Sequence, residues 1–77
     1  MKIQVFGTGC APCKAMLSNV RTAVAELGLD CTVEHVTGVL DMIDAGITGT
    51  PALAIDGEVK SMGRSLEVAA IKGLLNG

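Results

Sequence analysis

Polar and apolar residues alternate over Lys2-Ile3-Gln4-Val5-Phe6, the period of a strand with one side in a core. Gly7-Thr8-Gly9 breaks that pattern. From Ala11 onward Met16, Leu17, Val20, Val24 and Leu27 recur at helical spacing, with Lys14, Ser18, Arg21 and Thr22 elsewhere on the wheel. Pro12 fits the first turn, where its missing N–H has no intrahelical partner to lose, and Gly28 closes the helix. Cys31-Thr32-Val33-Glu34-His35-Val36 alternates again, is rich in β-branched residues and predicts a second strand, parallel to the first across a right-handed crossover. Val39 to Ala45 predicts a short helix ended by Gly46, and Ile47-Thr48-Gly49-Thr50-Pro51 a turn-rich connector. Ala52-Leu53-Ala54-Ile55 is apolar throughout, as in a strand covered on both faces. Asp56-Gly57 signals a two-residue hairpin returning through Glu58-Val59-Lys60-Ser61-Met62. The last helix is expected from Ser65, as N-cap, to Asn76, with Glu67 in its first turn and Val68, Ile71, Leu74 and Leu75 on its apolar face. The elements therefore run β-α-β-α-β-β-α.

Seventy-seven residues make one domain, 1–77, at the small end of what folds without staples. Phe6 is the sole aromatic residue although 49% of the chain is hydrophobic, so the core must be aliphatic, with the four methionines as filler. A net charge of −2 without any basic block argues against a nucleic-acid surface. No apolar run approaches ~18 residues, so no membrane span is expected. The N-terminal stretch is too short and polar for a signal-peptide core, which points to the cytoplasm.

Three cysteines in a reducing compartment suggest catalysis or metal binding more than a structural framework. Cys10-Ala11-Pro12-Cys13 lies where the first strand hands over to the first helix. A helix N-terminus carries partial positive charge and unpaired N–H groups, so it favours a thiolate over a thiol. Cys10 there is the expected nucleophile, and Cys13, about one turn on, can close a ring with it and expel a substrate thiol. Cys31 reads as a small buried strand residue, His35 as a structural or solvent-facing one, and Asp41 and Asp44 as a solvated helix face.

The Cys-x-x-Cys at the first helix, the order of elements, Thr50-Pro51 before the third strand, the Asp56-Gly57 hairpin and the glycine before the last helix together resemble the thioredoxin superfamily. More narrowly, the whole chain resembles the short thioredoxin/glutaredoxin-like redox-active disulfide proteins of bacteria and archaea. The resemblance implies an α/β thioredoxin-like fold: a four-stranded mixed sheet of order 2-1-3-4, with the first and third helices on one face and the second on the other. It implies a protein disulfide oxidoreductase or electron carrier, acting as a monomer without a cofactor or metal. Cys10 would be the exposed attacking thiol and Cys13 the buried resolving one. Pro51 would be the family's cis-proline, in a loop facing the dithiol, with the backbone of Thr50 pairing with a bound substrate chain. Pro12 would favour the reduced dithiol, and Lys14 a nearby thiolate. The implied partners are a disulfide-bearing protein or small molecule and an electron donor, either a thioredoxin-reductase-type enzyme or glutathione.

Two departures from the family pattern stand out. Gly9 occupies the position of the usual tryptophan, and the first strand has no acid under the dithiol, leaving water or His35 to move the resolving cysteine's proton. Two other uses of a Cys-x-x-Cys remain open at this point. One is a soft-metal carrier for copper or zinc, since thiolates suit Cu(I) and Zn(II). Small copper chaperones place the motif similarly, but have a methionine where Thr8 stands and a βαββαβ order. The other is a non-catalytic redox-sensing module.

Overall fold

A computed structural model describes residues 1–9 and 11–76. The elements are β1 (Lys2–Phe6), α1 (Ala11–Leu27), β2 (Thr32–Val36), α2 (Val39–Asp44), β3 (Ala52–Ile55), β4 (Glu58–Met62) and α3 (Val68–Asn76). They form one four-stranded sheet of order β2-β1-β3-β4. β1 pairs parallel with β2 and antiparallel with β3, and β3 pairs antiparallel with β4, so the sheet is mixed. Among the described residues the order is β-α-β-α-β-β-α, which differs from the βαββαβ order of the metal-carrier alternative.

Alternation along the strands sorts the core into two layers. Ile3, Val5, Leu53 and Ile55 pack with Met16, Val20 and Ala23 of α1 and with Ile71 and Leu75 of α3. Phe6, Ala52 and Ala54 cover the other face with Met42 of α2 and Ile47. The continuous apolar run of β3 is explained by this arrangement, since all four of its residues are buried between the layers. α1 buries Cys13, Met16, Val20 and Ala23. Leu17, Val24 and Leu27, expected on its inner face, only flank that stripe. The tight turn after β3 is of the kind Asp-Gly favours, because both central residues take positive φ, 51° at Asp56 and 84° at Gly57. Asp56 also locks the turn to β1, accepting the Lys2 N–H on Oδ1 and donating its own N–H to the Lys2 carbonyl, both at 2.8 Å.

Three expectations need correction. α3 begins at Val68, not Ser65. Leu66 is tied to α1 instead, its N–H donating to Met16 Sδ at 3.2 Å and its carbonyl accepting from Asn19 Nδ2 at 2.9 Å. Both backbone groups are thus directed at α1, and the first helical bond of this region is Ile71 N–H to the Glu67 carbonyl. Cys31 lies just outside β2 and is half-buried against the core rather than within a strand. Of the four methionines only Met16 and Met42 are core; Met1 and Met62 are 51% and 43% exposed.

Candidate functional site

The end of the sheet where β1 finishes gathers most of the residues singled out by sequence. Ile3 and Val5 point toward α1 and α3, and Gly7 continues that alternation one step beyond the strand. Its N–H donates to the Val36 carbonyl at 3.0 Å, which extends the β1–β2 pairing up to the site. Cys13, in the first turn of α1, is fully buried. It seats directly on Gly7: a Cβ at residue 7 would overlap Cys13 Sγ and stand 2.7 Å from Cys13 Cβ. The glycine is therefore required by close approach, and its role escaped a reading in which it only interrupts a strand. Nothing in the spacing of residues 7 and 13 announces that contact, which depends on how α1 folds back over β1.

Thr50 and Pro51 reach the same end from the opposite direction. The register Phe6↔Ala52 sets the residues just beyond, Gly7 and Pro51, side by side on neighbouring strands. The Thr50–Pro51 peptide is cis, Pro51 is buried and Thr50 is exposed. The loop is held from β4, with the Gly63 N–H on the Pro51 carbonyl at 3.0 Å and the Thr48 N–H on Met62 Sδ at 3.1 Å. Thr48 and Met62 carried no signal in the sequence beyond a turn-rich connector and an apolar filler.

Pro12 and Lys14 are exposed on the first turn of α1, and that turn contains no acidic residue. Cys10, the expected nucleophile, lies outside the described residues. Asp41 and Asp44 are exposed, as expected of a solvated face, and with Glu34 they line a cavity of about 430 Å³ beneath α2. His35 pairs with Val5 across the parallel ladder and so faces the α1 side. Its Nε2 is buried and meets no hydrogen-bond partner among the described residues, so this atom is not solvent-facing. Among the described residues no three His, Cys, Asp or Glu side chains converge as metal ligands.

Residues 1–76 match the family model of the thioredoxin domain. The chain belongs to the thioredoxin family. A thioredoxin of Methanothermobacter thermautotrophicus is 46% identical over 76 residues, covering 99% of both chains. A thioredoxin of Methanocaldococcus jannaschii is 37% identical over 70 residues, which is 91% of this chain and 80% of that protein. The thioredoxin fold expected from the sequence is the one observed, and its short form is of archaeal type. Kinship with two proteins named thioredoxin supports a thiol–disulfide oxidoreductase role in general terms. Among the described residues no helix is long and apolar enough to cross a membrane.

Proposed function

We propose that this thioredoxin-family chain is a protein disulfide oxidoreductase working through the dithiol Cys10-Ala11-Pro12-Cys13. The observation that carries the reading is the burial of Cys13 in the first turn of α1, seated on Gly7 beside the Thr50–Pro51 loop. A resolving thiol needs that kind of shelter: close to the helix start and closed to outside disulfides. The first turn of α1 carries Lys14 and no carboxylate, so its positive end is open to an anionic sulfur.

In the proposed cycle the Cys10 thiolate attacks one sulfur of a substrate disulfide. A Cys10–substrate bond forms, the substrate S–S bond breaks, and the first substrate thiolate leaves. Cys13, losing its proton, then attacks the Cys10 sulfur and expels the second thiolate. Two electrons have passed to the substrate and the protein is left with a Cys10–Cys13 disulfide. A thioredoxin-reductase-type enzyme or glutathione returns the pair. Thr50, exposed before Pro51, offers backbone groups for an extended substrate chain, and Pro12 shapes the motif without removing a helical bond. The protein acts as a cytoplasmic monomer, a single domain over residues 1–77, with no cofactor.

Serine substitutions test the roles separately. Cys10→Ser abolishes disulfide exchange, whereas Cys13→Ser accumulates a mixed disulfide visible by intact mass under non-reducing conditions. Adducts on Cys10→Ser and none on Cys13→Ser would reverse the assignment.

A further inference from the structure

We propose that Met62 is the anchor of the Thr48–Pro51 loop, and that oxidation of its thioether by a peroxide releases this loop. Any effect on disulfide exchange rests on the reading of that loop as substrate-facing; the anchoring itself does not.

The placement of Met62 depends on an irregularity in the sheet. β3 and β4 pair as Ala52↔Met62, Leu53↔Ser61, Ala54↔Val59 and Ile55↔Glu58, with a register shift between Leu53 and Ala54 that leaves Lys60 opposite no residue. Val59 and Met62 are three apart and in a regular strand would point to opposite faces. The extra residue brings Met62 onto the face of Ala52 and Ala54, where the connector after α2 passes. There its sulfur accepts two bonds from one residue, the Thr48 N–H at 3.1 Å and the Thr48 hydroxyl at 3.3 Å. The Gly63 N–H takes the Pro51 carbonyl at the other end of the loop, and a Cβ on Gly49 would come within 3.3 Å of Gly63 Cα. Residues 48–51 are thus laid against Met62-Gly63, and the sulfur is the acceptor that fixes Thr48. Leucine would fill similar space and offer no acceptor at all; a thioether offers a weak one.

That acceptor is also oxidisable and within reach of solvent. Met62 is 43% exposed, while Met16 and Met42 are 0% and 7% exposed. In the reaction the thioether sulfur attacks one oxygen of hydrogen peroxide. An S–O bond forms, the O–O bond breaks, and the departing hydroxide takes the proton of the transferred oxygen to leave as water. Sulfur is oxidised by two electrons and peroxide is reduced. A flexible apolar side chain becomes a polar one. A thioether sulfur has two lone pairs, and here two Thr48 groups bond to it; an oxygen bonded to the sulfur uses one pair, so both bonds cannot persist as they are.

The test starts from disulfide-form protein treated with hydrogen peroxide, after which dithiothreitol restores the thiols and leaves the sulfoxide. Peptide mass mapping is expected to find oxygen added at Met62 and Met1 before Met16 or Met42. Amide hydrogen exchange is then compared for untreated protein, treated protein and Met62→Leu, itself with and without peroxide. Thr48 is expected to exchange about tenfold faster in treated protein and in Met62→Leu, as for the loss of a hydrogen bond. Ile47, whose N–H is bonded to the Met42 carbonyl at 2.8 Å, should be unchanged, and in Met62→Leu peroxide should change Thr48 exchange no further. Unaltered Thr48 exchange in both Met62→Leu and the sulfoxide form would overturn the proposal whatever the activity. Faster Thr48 exchange with an unchanged KM for a disulfide substrate would uphold the anchor and overturn the substrate-facing reading of the loop.

Discussion

At the scale of single residues the site is decided by contacts too close for any other side chain. Cys13 occupies the space a Cβ of residue 7 would need. Gly7→Ala must therefore push the first turn of α1 outward, and overpacking of this kind costs about 1–3 kcal/mol. The denaturation midpoint in urea should fall accordingly, and Cys13 should alkylate faster under native conditions than in the parent protein. Unchanged stability and alkylation would mean that Cys13 does not rest on Gly7. Cys13 at the start of α1 was legible in the sequence, because a Cys-x-x-Cys motif at a strand-to-helix handover needs only local pattern to be seen. Gly7, Thr48 and the sulfur of Met62 were not, since each acquires its role from a residue brought near by the tertiary fold.

At the scale of elements, alternation and helical spacing located all seven, and the chemistry of Asp56-Gly57 gave the turn between β3 and β4. The start of α3 could not be read the same way. Ser65 and Glu67 carry capping chemistry, but Leu66 is bound to Asn19 and Met16 across the gap to α1, and those partners lie far away in sequence. The inner stripe of α1 shifted for a related reason. Small Ala23 allows α1 and the sheet to approach, while the larger Leu17, Val24 and Leu27 sit at the margin. Asn19→Ala leaves the half-buried Leu66 carbonyl without its side-chain donor, which should cost about 1–3 kcal/mol. Urea denaturation checks this, and a change below about 0.3 kcal/mol would show that the bond does not hold the approach to α3.

At the scale of the whole molecule, stability comes from two apolar layers on a sheet of only four strands. The charged pairs contribute little. Lys2–Glu34, Lys60–Glu58 and Lys72–Glu26 are all substantially exposed, and such pairs are worth about 0–1 kcal/mol each. Raising sodium chloride from low concentration to about 1 M, where screening acts within roughly 3 Å, should lower the unfolding free energy by no more than about 3 kcal/mol, the most that three such pairs can supply. A larger loss would assign the ion pairs a structural weight that the geometry denies them. The layered core also leaves one end of the sheet to the candidate site: Gly7 after β1, Cys13 above it, and Pro51 before β3.

The central claim is that Cys10 and Cys13 form a reversible two-electron couple. It is tested most directly by a redox titration of the purified protein, trapped by alkylation and read by intact mass, with copper and zinc assayed on the same sample. The expected result is a single transition in which both cysteines lose alkylation together, Cys31 remains alkylated throughout, and no metal accompanies the protein. A midpoint near about −270 mV would place it with thioredoxin-type reductants, and one nearer −200 mV with glutaredoxins. Thiols that titrate independently, or that resist alkylation and carry stoichiometric copper or zinc, would contradict the account.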